Sequence, residues 1–169
     1  EIQDMLREVV EYVPAHPMAG REVSGVENAD DGIFRGANFI VAPTEKNTAS
    51  GIAWCEALGR LLGFRKISVL TPEEHDKMIG FVSQLTHVIA VSLMTCNDNT
   101  HLVDYTGDSF RDLTRIASIN EDMWSELFLL NKEFLLQHMD AFISELSEFR
   151  GLLANDDREG LKDKMRLST

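Results

Sequence analysis

Residues 71–97 read TPEEHDKMIGFVSQLTHVIAVSLMTCN, and this stretch separates two parts of the chain with different sequence character. Residues 71–74 have the spacing of a capping box, with Pro72 at the first helical position, which predicts that a helix begins here. Between Ile79 and Asn97 no residue is charged, as in a transmembrane span. The run also contains polar side chains, which favour a helix buried within protein instead: Ser83, Gln84, Thr86, His87, Ser92 and Thr95.

Upstream of this stretch, short strands alternate with helices in the pattern. Apolar runs at residues 38–42 and 66–70 predict two buried strands. Residues 50–64 have helical periodicity and predict a helix between them, and residues 1–11 have the same periodicity. Residues 16–35 have no period and contain three glycines, which predicts a long loop of the kind that often has a function. The order of elements predicts the end of an α/β domain.

Downstream, the pattern is helical throughout. It predicts a short helix over residues 109–118, a long one over 121–154 and a last one over 156–167. The long helix is apolar around most of its circumference, which is too wide a surface for a helix that faces solvent. Burial against an identical copy is the simplest way to cover it. We therefore predict an α/β part over residues 1–70 and an all-helical part over 71–169.

Composition excludes several classes of protein. The chain has 169 residues, and 16 Lys and Arg against 28 Asp and Glu give a formal net charge of −12. Such acidity argues against nucleic-acid binding and against attraction to an anionic membrane. Two cysteines, Cys55 and Cys96, do not make a disulfide scaffold or a zinc ribbon. Both ends have helical spacing, so we expect the sequence to be a piece of a longer protein.

Two histidines are candidates for chemistry. His16 precedes Pro17, which restricts its backbone to the extended region, and loops at strand ends are where α/β proteins place groups that contact ligands. The alternative is a surface histidine in a turn. On the helix that begins at residue 71, His87 belongs to a stripe of small and polar residues, which predicts a wet cavity or a hydrogen-bonding neighbour. The alternative is a core histidine satisfied by a backbone carbonyl, whereas His75 lies about 120° from the stripe and is expected to cap the helix or face solvent.

Charged residues give one further candidate and exclude another. Arg111 and Arg115 are four residues apart on a predicted helix, and two guanidinium groups on one face suit carboxylate binding. The alternative is local ion pairing with Asp108 and Asp112. The carboxylates of residues 73–76 suggest metal ligands, but acidic residues in a first helical turn are explained by the helix dipole. No metal site is predicted.

In this order the motifs resemble the prephenate dehydrogenase family. The resembling blocks are His16-Pro17-Met18-Ala19-Gly20 with Glu22 and Ser24-Gly25, then Leu70-Thr71-Pro72-Glu73-Glu74-His75-Asp76 running to His87, then Phe110-Arg111-Asp112-Leu113-Thr114-Arg115-Ile116-Ala117 and Met123-Trp124. The resemblance implies NAD-dependent oxidative decarboxylation of prephenate to 4-hydroxyphenylpyruvate in tyrosine biosynthesis, with NADP as an alternative cofactor. It also implies the end of a Rossmann-like nucleotide-binding domain, followed by an all-helical substrate-binding and dimerisation domain, in a cytoplasmic homodimer.

The resemblance also implies roles for individual residues. By motif match, His16 would be the catalytic base and Arg115 would hold a substrate carboxylate. His87 would line the same pocket, and Trp124 would reach toward the partner subunit's site. Further candidates for substrate binding are Glu22 and Arg111.

The sequence departs from the family's pattern at several positions. Gly-x-Gly-x-x-Gly occurs nowhere in the sequence, so no cofactor-binding residue is predicted within it; the family carries this motif upstream of the first residue here. Gln84 and Thr86 stand where many members have His and Pro, and Arg21 stands where a small hydroxyl residue is common. Two alternatives remain. One is arogenate dehydrogenase, which has the same mechanism with an amino group on the substrate side chain. The other is that these 169 residues as an isolated fragment are a catalytically silent helical dimerisation module.

Overall fold

A three-stranded sheet precedes a helical half in the computed structural model, which describes residues 2–6, 10–21, 23, 25–98 and 100–168. The strands are β1 (Ala15–Met18), β2 (Asn38–Val41) and β3 (Lys66–Val69). The α-helices are α1 (Ile2–Met5), α2 (Ala49–Leu61), α3 (Pro72–Ile79), α4 (Thr86–Thr95), α5 (Asp108–Thr114), α6 (Glu121–Leu130), α7 (Lys132–Ala154) and α8 (Arg158–Leu167). This order confirms the predicted fold class of an α/β remnant followed by an all-helical part.

The sheet is built around β2. Strand β3 runs parallel to β2, with α2 as the crossover, and β1 pairs with the other edge of β2 in the antiparallel direction. Helix α2 packs closely on the sheet, since a Cβ at Gly59 would lie 2.7 Å from Cδ1 of Phe39. The buried core beneath it consists of Phe39, Val41, Cys55 and Phe64. The two apolar runs and the helix between them are thus where the sequence pattern predicts them.

The predicted loop over residues 16–35 is wrong at its beginning. His16 lies inside β1, opposite Ile40 of β2. Pro17 keeps the preceding residue extended, and a proline is tolerated in an edge strand because its missing N–H removes few ladder bonds. The first predicted helix is short, since α1 ends at Met5 and residues 10–14 are not helical; residues 7–9 lie outside the described part.

Helices α3 and α4 are joined by a π-helical turn over Gly80–Leu85. The capping box predicted at Thr71 is present, with both reciprocal bonds to Glu74. The chain remains helical from Pro72 to Thr95. By length and composition alone, this continuous helix could cross a membrane, but core helices of soluble proteins pass the same test. Inside it, Gln84 is 4% exposed and its side chain donates to the Leu127 carbonyl of α6.

The predicted single helix over residues 121–154 is wrong. It is broken at Asn131, whose φ of −111° and ψ of 26° are not helical. The Asn131 Nδ2 donates to the Asp76 carbonyl at 2.9 Å and to Oε1 of Gln84 at 2.8 Å. The break therefore places an amide between α6 and α7 where it can reach back to α3 and the π turn.

The helix predicted over residues 109–118 is also shorter than expected. Helix α5 ends at Thr114, and a 3-10 turn follows over Arg115–Ala117. Arg111 and Arg115 therefore do not lie on one continuous α-helix. The surface of α6 and α7 is rich in exposed apolar side chains: Leu129, Leu130, Leu136, Ile143, Leu146 and Leu153.

Candidate functional site

A cleft of about 670 Å³ opens between β1 and the helical half of the chain. Its sheet side is formed by residues 16–21 and Val23. Its helical side is formed by Ser83, His87, Ile116, Ser118, Ile119, Asn120, Met123 and Trp124. The cleft thus brings together three of the residues expected to act together from the sequence, namely His16, His87 and Trp124.

His16 stands at one end of a chain of hydrogen bonds. Its Nδ1 lies 2.9 Å from Nε2 of His75, and Nδ1 of His75 lies 2.8 Å from Oδ1 of Asp76. Burial of the imidazole, with a smaller contribution from His75, lowers the pKa of His16. The ring is therefore neutral at neutral pH and able to accept a proton.

The expected position of His75 is wrong. Its side chain is 19% exposed and bonds His16 of β1 rather than capping α3 or facing solvent. The expectation assumed a regular 100° advance per residue, which does not hold across the π turn. His75 and Asp76 are thus site residues that the sequence reasoning missed as a pair, although both stand in the block that carries the family resemblance.

His87 forms the opposite wall together with Trp124. The two rings stack with centroids 3.7 Å apart and planes at 29°. The Nδ1 of His87 lies 2.8 Å from the Ser83 carbonyl, and because a carbonyl only accepts, Nδ1 carries the proton. This is the backbone bond foreseen in the alternative for His87, yet the ring also lines the cleft. Trp124 lies in the cleft of its own chain, whereas the resemblance implied a reach toward the partner subunit's site.

The positive charge is distributed differently from the expectation. Arg111 and Arg115 are exposed and are not among the described residues that line the cleft. Arg111 forms an ion pair with Asp108, as in the alternative of local ion pairing. Arg21 does line the cleft, and its Nη1 lies 3.3 Å from Oδ2 of Asp30. Glu22, the remaining candidate, lies outside the described residues.

The arrangement suits a small organic anion with a hydroxyl group. A neutral imidazole can take the hydroxyl proton, Arg21 can meet a carboxylate, and the aromatic wall can pack against a ring. Within the described part of the chain, no three His, Cys, Asp or Glu side chains are grouped to hold a metal ion. The residues from β2 to α2 read APTEKNT, with no glycine to cradle a pyrophosphate, so no residue here is assigned to a dinucleotide.

Two family models match nearly the whole chain. Residues 71–167 match the model described as prephenate dehydrogenase, dimerization domain. Residues 1–65 match the model described as prephenate dehydrogenase, nucleotide-binding domain.

Curated relatives and solved structures agree with those matches. The chain is 30% identical over 156 residues to prephenate dehydrogenase of Bacillus subtilis, covering 89% of this chain and 42% of that protein. It is 31% identical over 162 residues to cyclohexadienyl dehydrogenase of Zymomonas mobilis, covering 92% and 55%. The solved prephenate dehydrogenase of Aquifex aeolicus, in complex with hydroxyphenyl propionate and NAD+, aligns with a TM-score of 0.82 and 30% identity over 92% of this chain and 56% of that one. The chain thus spans about half the length of the relatives it matches.

Proposed function

This chain belongs to the prephenate dehydrogenase family, and from that premise we propose that its protein carries out the NAD-dependent oxidative decarboxylation of prephenate to 4-hydroxyphenylpyruvate. The observation that carries the proposal is His16, a half-buried, neutral imidazole in the cleft whose Nδ1 is held by His75. The other ring nitrogen of His16, Nε2, is then left to contact the substrate. NAD, or NADP in its place, supplies the hydride acceptor when bound.

The proposed reaction needs a base and a binding site from this chain. Nε2 of His16 accepts the proton of the substrate's ring hydroxyl while the carbon that bears the hydroxyl loses hydride. The electrons of the bond to the ring carboxylate enter the ring as CO₂ leaves. The oxygen that becomes the phenol takes back the proton from His16, and the product is aromatic. A catalytic pKa near or below neutral keeps the base unprotonated at working pH.

Prephenate is a dianion, so its binding requires cations in an acidic chain. Arg115 is proposed by motif match to hold one carboxylate; in its support, the next residue, Ile116, lines the cleft. Arg21 is proposed to meet the other, because this residue lines the cleft and its guanidinium is held from one side by Asp30. His87 and Trp124 form the wall against which the ring packs. Glu22 and Arg111 are further candidates for substrate binding.

We propose a cytoplasmic homodimer with a division of the chain near residue 70. The described helices leave large apolar side chains in solvent, among them Leu129 at 71% and Leu130 at 78% exposure, and residues 71–167 match a dimerization domain. A second copy would cover this surface. Sedimentation at micromolar concentration is expected to give a dimer, and a monomer would contradict the proposal.

The substrate is tested by following NADH formation by the intact protein with prephenate and, separately, with arogenate. Turnover of prephenate is the expected result. Turnover of arogenate alone would favour the alternative, arogenate dehydrogenase. One of the relatives is the cyclohexadienyl dehydrogenase of Zymomonas mobilis. Turnover of neither would refute the enzyme assignment and leave a silent dimerisation module.

A further inference from the structure

We propose that His75 and Asp76 are positioning residues that hold His16 in its Nδ1–H tautomer, so that the Nε2 lone pair faces the substrate. The effect of this tautomer on catalysis rests on the proposed function, whereas the tautomer itself can be measured without any activity. The three side chains come from two elements, β1 and α3, and are joined by bonds of 2.9 Å and 2.8 Å.

The direction of each bond follows from the one before it. An ionised carboxylate only accepts, so Nδ1 of His75 carries the proton in its bond to Asp76. A neutral imidazole has one protonated nitrogen, so Nε2 of His75 has a lone pair and accepts from Nδ1–H of His16. Nε2 of His16 is then the unprotonated nitrogen. A base whose protonated nitrogen faced the substrate could not take the hydroxyl proton.

The backbone that carries His75 and Asp76 is fixed by Asn131, which precedes α7, and by α7 itself. The Asp76 carbonyl accepts from Nδ2 of Asn131, and the carbonyl of the next residue, Lys77, lies 2.9 Å from Nε2 of His138. Close packing continues at Gly80, where a Cβ would lie 3.1 Å from the His138 ring. Because these contacts anchor the last turn of α3, His75 meets His16 in one geometry rather than as a freely rotating surface side chain.

Other polar groups near the His16 ring do not compete for its Nδ1. His87 faces the cleft from α4, but its own Nδ1 is bonded to the Ser83 carbonyl. Arg21 follows β1 and is paired with Asp30. Within the part of the chain that the structure describes, only His75 bonds the His16 ring.

The tautomer is measured directly by long-range ¹H–¹⁵N correlation spectra of the imidazoles, recorded on the ¹⁵N-labelled chain near neutral pH. We expect His16 with a protonated Nδ1 and an unprotonated Nε2. In His75→Ala the His16 signals should move toward the Nε2–H tautomer that an unconstrained imidazole prefers, whereas His75→Gln should retain Nδ1–H because the amide oxygen can accept. His101→Ala, which alters an exposed histidine paired with Asp104, is the matched control.

Two results would overturn the proposal. One is an Nε2–H tautomer of His16 in the unaltered chain, which needs no variant to fold. The other is an unchanged Nδ1–H tautomer in a folded His75→Ala. If that variant does not fold, the spectra of the unaltered chain and of Asp76→Asn decide, with Asp104→Asn as the control. Asp76→Asn should weaken the preference of His16 for the Nδ1–H tautomer. An unaltered preference would contradict the role of Asp76.

Kinetics of the intact protein test the consequence. His75→Ala should lower kcat by about 10- to 100-fold with KM within a few-fold, as expected for the loss of a group that orients a catalytic one. His75→Gln should recover most of kcat. If neither prephenate nor arogenate is turned over by the unaltered protein, the proposed function fails while the tautomer result stands. If turnover is normal in folded His75→Ala, the positioning role fails while the function stands.

Discussion

The amide of Asn131 should contribute more to stability than any exposed polar residue of the helical half. Its Nδ2 donates to two oxygens, the Asp76 carbonyl and Oε1 of Gln84. In Asn131→Ala the Asp76 carbonyl keeps the backbone N–H of Gly80, but Gln84 is 4% exposed and its oxygen loses its donor. An unsatisfied buried acceptor costs about 1–3 kcal/mol, so we expect the free energy of unfolding to fall by about 2 kcal/mol.

The assay is urea unfolding at one fixed protein concentration, because self-association would add to the measured stability. Asn155 offers a matched control, since it follows the same helix α7 with a φ of −100° and a ψ of 8° and is exposed. Asn155→Ala should change the free energy of unfolding by less than about 0.5 kcal/mol. Equal losses in the two variants would refute the reasoning.

A double-mutant cycle separates the bond from other effects of the substitution. Gln84→Met removes the buried acceptor and leaves the Leu127 carbonyl with the Asn131 backbone N–H at 3.3 Å. In that background Asn131→Ala leaves no buried amide oxygen without a donor. The loss in free energy of unfolding caused by Asn131→Ala should therefore be smaller by about 1 kcal/mol. Additive losses would show that the two amides do not act on each other.

Three further predictions concern the proposed reaction of the intact protein. His16→Asn should lower kcat by about 10²- to 10⁴-fold with little change in KM, as for removal of a general base, and an unchanged kcat would remove His16 from the chemistry. Burial and His75 lower the pKa of His16, so kcat/KM should stay level through neutral pH and fall only below about pH 6.5, as the base becomes protonated; a fall that begins above neutral pH would contradict this assignment. Arg115→Ala should raise KM about tenfold with kcat retained, as should Arg21→Ala. Arg60→Ala, which breaks an ion pair on α2, is the control, and a normal KM in Arg115→Ala would make that residue structural.

The parts of the fold that sequence predicts well are those set by neighbours in the chain. The capping box at Thr71 needs only residues three positions apart, and the strands β2 and β3 need only short apolar runs. The extended backbone before Pro17 is likewise local. These features therefore appear close to where the pattern places them, with ends that differ by a residue or two.

The parts that sequence misses depend on contacts between distant residues. Asn131 begins a short polar run, Asn131-Lys132-Glu133, which is compatible with an uninterrupted helix. The break becomes intelligible only from the bonds to Asp76 and Gln84, 55 and 47 positions away. The arginines show the same limit. Spacing places Arg111 and Arg115 on one face, but the helix ends at Thr114. The sequence marks Arg21 only as a departure from a family pattern, because its position in the cleft depends on the contact between β1 and the helical half.

The π turn accounts for the direction that His75 takes relative to His87. His75 and His87 are 12 positions apart, which in a regular helix corresponds to a separation of about 120° around the axis. A π turn absorbs about one additional residue without advancing the helix by its usual angle. The rotation between the two histidines then corresponds to about 11 residues, and the separation falls to about 20°. The same turn therefore directs both histidines toward β1, one to hold His16 and the other to face it across the cleft.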